Sequence, residues 1–236
     1  MTITTEIQTL KSGGSDMNIY IARPESGRTP ALIVLQEAFG VTDHIKDITQ
    51  RFAEQGYLAI APELFHRTAP AGFTAPYGGD FSALAPHFQA ATPEHIAEDT
   101  KAVFNWVSND KQFDKTHIGA IGFCLGGRAA VISNAKLPLK AAVSFYGGAP
   151  PQAEDVAREQ HGPVLFFWGE LDTHLVPAQR DAMIGAMRQA GKQYITVDIS
   201  NAGHGFFRDV GSTYNPNAAR QAWAMTLSFL ATYLKP

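Results

Sequence analysis

Apolar residues in this chain gather into short unbroken runs, and longer stretches of helical periodicity separate most of them. The runs at 31–35 (Ala-Leu-Ile-Val-Leu), 58–61 (Leu-Ala-Ile-Ala) and 164–168 (Val-Leu-Phe-Phe-Trp) contain no polar position. Strands covered on both faces read this way, because neither side-chain direction meets water. Further strands are predicted at 3–10, 18–22, 117–123, 141–145 and 194–199, and helices at 45–54, 93–108, 125–135, 178–190 and 217–234. Thr92-Pro93 supplies an N-cap followed by proline at the first helical position, and Val176-Pro177 and Asn215-Pro216 are similar starts. The alternation predicts an α/β fold, a mostly parallel sheet with helices on both faces. No helix separates the first two strands, so they should form an antiparallel edge. Residues 62–91 break the pattern, being rich in Pro, Gly, Ala and Phe. A loop this long in a compact domain is usually functional or mobile. It is expected to act as a cap or pocket wall, with Phe73, Tyr77, Phe81 and Phe88 as candidate lining.

Composition narrows the classes. The chain has 236 residues, 45% hydrophobic and 17% charged, enough apolar mass for a large core and consistent with a single domain over 1–236. A net charge of −3 without any Lys/Arg block speaks against nucleic-acid or anionic-membrane partners. No apolar run approaches the roughly 18 residues that span a bilayer, and residues 1–14 lack the layout of a secretory signal. A cytoplasmic monomer or weak homo-oligomer is the expectation. One cysteine allows neither an internal disulfide nor a cysteine-rich zinc site; no metal and no cofactor is expected.

That cysteine carries the candidate chemistry. Cys124 sits in Gly122-Phe123-Cys124-Leu125-Gly126-Gly127, where a predicted strand hands over to a predicted helix. Gly122 is expected to make the tight turn, and Gly126 and Gly127 to let the helix pack close behind. A buried small hydrophobe is the usual fate of a lone cysteine, but this setting presents the thiol at the unpaired N–H groups of a helix start. Among eight histidines, His204 alone is flanked by glycines just past a late strand. Asp172 leaves the strand at 164–168 and is placed to orient an imidazole; Glu170 is the rival acid. The chain order is then nucleophile, acid, histidine. An oxyanion needs two fixed N–H donors: Leu125 directly after the cysteine, and Ala38 in Gln36-Glu37-Ala38-Phe39-Gly40 after the strand at 31–35. Glu37 ends that strand and is a candidate to touch the thiol.

Together these segments, with Gly203-His204-Gly205-Phe206 and Val176-Pro177, resemble the dienelactone hydrolase family along nearly the whole chain. The resemblance implies an α/β-hydrolase fold and a cofactor-free Cys124–His204–Asp172 triad. Glu37 would contact the resting thiol and aid its ionisation, and Ala38 and Leu125 would form the oxyanion hole. The implied substrate is a small lactone or ester, with opening of a dienelactone to maleylacetate as the family activity. Arg208 matches a family arginine that binds the substrate carboxylate. The family pattern places a second arginine in the cap segment. Residues 70–91 contain none, which implies a more apolar pocket and a less charged substrate. The alternatives are a carboxylesterase or thioesterase of other specificity, and a small-molecule binder without turnover.

Overall fold

The computed structural model describes residues 2–25, 29–110 and 113–235. Eight strands join one sheet: β1 (Ile3–Ser12), β2 (Ser15–Pro24), β3 (Thr29–Leu35), β4 (Leu58–Pro62), β5 (Phe113–Phe123), β6 (Ala141–Phe145), β7 (Val164–Gly169) and β8 (Tyr194–Ile199). Their spatial order is β1-β2-β4-β3-β5-β6-β7-β8. β1 pairs antiparallel with β2, and β2 antiparallel with β4; every later pair is parallel. The antiparallel edge expected from the missing helix is present. β1 and β8 lie at the sheet margins and alternate exposed and half-buried positions, whereas β4 and β6 are buried throughout.

Alternation along the inner strands divides the core in two. Leu32 and Val34 of β3 face the same layer as α1 (Asp43–Glu54) and α7 (Pro216–Leu234), packing with Ile45, Phe52 and Leu230. Ala31, Ile33 and Leu35 face the opposite way, onto α3 (Pro93–Asn109) and α4 (Leu125–Lys136). That is the period-2 geometry of a strand sandwiched between helix layers. α6 (Pro177–Gln189) covers β6 and β7 on the α4 side. Thr92 and Asn215 cap α3 and α7 by accepting N–H groups, while Val176 makes no side-chain cap for α6. Two helices escaped the sequence reading, α2 (Ala85–Ala90) and α5 (Ala153–Arg158). Each has six residues, fewer than two turns, too short for a 3.6-residue period to show.

The strand-to-helix junction at Cys124 differs in detail from expectation. The left-handed residue is Cys124 itself (φ 55°, ψ −115°), not Gly122, which stays in β5. Gly122 serves close approach instead: a Cβ there would lie 1.9 Å from the Gly126 carbonyl oxygen. A Cβ on Gly126 would lie 2.1 Å from the Leu35 carbonyl oxygen at the end of β3. The first turn of α4 is thus seated on backbone. Gly126→Ala is expected to cost about 1–3 kcal/mol of stability by overpacking, read by denaturant unfolding.

Candidate active site

Cys124 is held by backbone on both sides. Its N–H donates to the Phe145 carbonyl at the end of β6 (3.0 Å), and its carbonyl accepts from the Gly127 and Arg128 N–H groups (3.0 and 3.3 Å). A non-glycine residue in the left-handed region is strained, and these bonds hold it there. The Ala38 and Leu125 N–H groups donate to no acceptor among the described residues, and both residues line one cavity with Cys124. Gln36 fixes the Ala38 loop: its amide oxygen accepts from the Leu64 N–H (2.9 Å) and its amide nitrogen donates to the Glu37 carbonyl (3.2 Å).

Asp172 follows β7 and His204 follows β8. His204 Nδ1 lies 2.8 Å from Asp172 Oδ2, while Asp172 Oδ1 accepts the His174 and Leu175 N–H groups at 2.8 and 3.0 Å. Burial opposes ionisation of Asp172, but these hydrogen bonds outweigh it and hold the carboxyl below its ordinary range. Burial also disfavours a charged His204. Its hydrogen bond to Asp172 and the neighbouring Cys124, with the charges of both, win and push its pKa up to about 10. With Nδ1 turned to Asp172, Nε2 is the nitrogen left for the thiol. Glu170, the rival acid, is exposed and lines a separate recess with Trp168 and Arg180.

Glu37 departs from expectation. It is buried at the end of β3, yet among the described residues neither carboxylate oxygen accepts a hydrogen bond, from the thiol or elsewhere. Its charge partner is Arg208, 3.6 Å away. Arg208 also stacks on the Tyr77 ring at 4.3 Å and donates from Nε to the Val210 carbonyl (3.0 Å). The Tyr77 hydroxyl lies 2.7 Å from Thr42 Oγ1, and burial with the Glu37 charge raises its pKa.

The cavity measures about 730 Å³. Residues 62–91 form one wall, through Gly78, Gly79, Phe81 and Phe88. Phe73 and Tyr77 sit behind it: Phe73 packs on Phe65 and His87, and Tyr77 supports Arg208. The wall is tied down by a bridge between Gly40 and Thr74 and by the Ala75 N–H to the Phe39 carbonyl (3.0 Å). Lining residues missed from sequence include Tyr146, His174 and Arg128. Tyr146 is fully buried at φ 40°, with its ring 5.0 Å from His204 and a hydroxyl without partner; burial, then the Glu37 and Cys124 charges, raise its pKa. Its place directly after β6 is the signal that could have found it. His174 meets the His204 ring edge-on at 4.9 Å. Arg128 puts a cation where an apolar surface was expected; its spacing of four from Cys124 was legible in a helix. Among the described residues, no group of three or more His, Cys, Asp or Glu side chains could hold a metal ion, and no helix is long and apolar enough to cross a membrane.

The strand order, the antiparallel start and the helices on both faces of the sheet define an α/β-hydrolase. Within that class the chain belongs to the dienelactone hydrolase family, whose family model matches residues 17–234. It is a hydrolase of that family. A "Putative carboxymethylenebutenolidase" of Salmonella typhimurium is 35% identical, with 98% of this chain and 88% of the relative covered. One of that name from Synechocystis is 31% identical over 99% of this chain and 98% of the relative. The crystal structure titled "Putative Dienelactone Hydrolase" from Klebsiella pneumoniae superposes with a TM-score of 0.90 at 31% identity, covering 99% of this chain and 100% of that one.

Asp172→Asn should lower the His204 pKa from about 10, read by NMR titration of the imidazole. A value still near 10 in that variant would assign the shift elsewhere. Because the folded value lies above the ordinary 6.5, His204 stabilises the fold fully below about 6.5, and the contribution fades as pH rises through about 10.

Proposed function

We propose that this protein hydrolyses a small carboxylic ester or lactone through a thioester on Cys124. The observation that carries the reading is His204 Nδ1 held at 2.8 Å by Asp172 while its ring lines one cavity with Cys124 at the strand-to-helix junction. An imidazolium held by a carboxylate favours the neighbouring sulfur as thiolate, the nucleophilic form. The thiolate attacks the substrate carbonyl, whose oxygen moves between the Ala38 and Leu125 N–H groups. Collapse expels the alkoxide, which takes the Nε2 proton of His204. A lactone opens at this step and keeps both halves on the enzyme.

Acylation then prepares the second half-reaction. Once sulfur is esterified, the charge that Cys124 lends to His204 is gone, so the imidazole pKa falls from about 10. A neutral ring results, able to take a proton from water as the water attacks the thioester. The products are the free acid and the regenerated thiolate–imidazolium pair. The names of the relatives favour a dienelactone-like substrate, and the cavity has room for one.

Cys124→Ala is expected to lower p-nitrophenyl acetate turnover by roughly 10³-fold or more, and His204→Ala to accumulate an acyl-enzyme seen as a mass increase on the intact protein. Turnover by Cys124→Ala within tenfold of wild type would overturn the thioester route. Parallel assays on dienelactone and simple aryl esters then separate a dienelactone hydrolase from an esterase of other specificity.

A further inference from the structure

Arg128 lies four residues after Cys124, one turn into α4, and lines the same cavity. Its guanidinium sits over the Phe88 ring at 5.1 Å. The side chain is half-buried, and among the described residues its guanidinium makes no hydrogen bond and no ion pair. Burial pulls its pKa below the ordinary arginine value, and only the Cys124 charge acts in the other direction. A partly desolvated cation with no fixed counter-ion is unfavourable in a free protein. A ligand anion would relieve that cost and use the planar fork that guanidinium presents to carboxylates.

Arg208 is engaged otherwise. It lines the same cavity, but Glu37 at 3.6 Å, the Tyr77 ring and the Val210 carbonyl surround it, so its charge is already offset inside the protein. The two arginines also enter the cavity from different elements. Arg128 comes from α4 and the Phe88 wall, whereas Arg208 belongs to the segment after β8 that carries His204. His204 must face the leaving oxygen to protonate it. A group held by Arg128, on a different element from His204, is accordingly assigned to the acyl part.

We propose that Arg128 is the specificity-determining residue of this cavity, holding a carboxylate on the acyl part of the substrate while Cys124 attacks the ester carbonyl. The inference deepens the hydrolytic reading and rests on it for the orientation of the acyl part. It reverses the expectation of a pocket suited to uncharged substrates, and it assigns anion binding to Arg128 and a supporting place beside Glu37 to Arg208.

Two measurements test it. The first compares p-nitrophenyl hemisuccinate with p-nitrophenyl butyrate, which share a leaving group and differ in the terminal charge. Wild type should prefer the hemisuccinate. In Arg128→Met, whose apolar stem still covers Phe88, the hemisuccinate-to-butyrate ratio of kcat/KM should fall roughly 10–100-fold, mainly through KM. Arg128→Lys should recover part of the ratio, since it keeps the charge and loses the fork. The second measurement is calorimetric binding of succinate to wild type and the same variants, which needs no turnover. Affinity should fall with Arg128→Met by a similar factor. If wild type hydrolyses neither ester yet binds succinate through Arg128, the hydrolytic reading fails and the anion site stands. An unchanged ester ratio and unchanged succinate binding in Arg128→Met, or loss in Arg208→Met alone, overturns the proposal.

Discussion

Backbone packed against backbone at the start of α4 is the constraint on which the site depends. Gly122 and Gly126 have no room for a side chain, because the first turn of the helix rests on the ends of β3 and β5. That seating forces the single residue between strand and helix into the left-handed region and lifts its side chain into the cavity. It also brings the Leu125 N–H and the loop bearing Ala38 to one place, since that loop continues directly from the β3 carbonyls that Gly126 touches. The proposed nucleophile and oxyanion donors are thereby fixed by packing rather than by side-chain hydrogen bonds, so substrate need not reorganise them.

Around this junction the protein holds polar groups in states a stable core would avoid. Among the described residues, Glu37 is buried without a side-chain hydrogen bond, Tyr146 keeps an unpartnered hydroxyl, and Arg128 has an aromatic ring but no anion. Buried polar groups are normally satisfied; Tyr146 and Arg128 line the cavity, and Glu37 directly precedes Ala38, which lines it too. The His204–Asp172 pair is the opposite case. Both Asp172 oxygens accept hydrogen bonds, and the raised imidazole pKa expresses how strongly Asp172 and Cys124 favour the charged ring.

Much of this architecture is written in local pattern. All eight strands were expected, the inner ones mostly from continuous apolar runs, and the helices of twelve residues or more were found because several turns of periodicity can be seen. α2 and α5 were not, being too short to show a period. Cys124, Asp172 and His204 could be picked out because each follows a strand end, where parallel sheets collect ligand groups. Phe73 and Tyr77 were misassigned as lining because an irregular segment carries no rule for which side chain turns inward. Glu37 was expected at the thiol, yet position along the chain cannot say which of several buried neighbours a carboxylate will face.

The sequence by itself determined the order of elements, the antiparallel edge, the elbow and the candidate trio, because these follow from residue type and spacing along one strand or helix. Only the tertiary structure decided that Arg208 belongs to Glu37 and Tyr77, that Tyr146 stands beside His204, and that Arg128 faces the cavity without a counter-ion. Those pairings join residues far apart in sequence. Charge and burial act through space, so the partner of a buried group is fixed by which elements the sheet brings together.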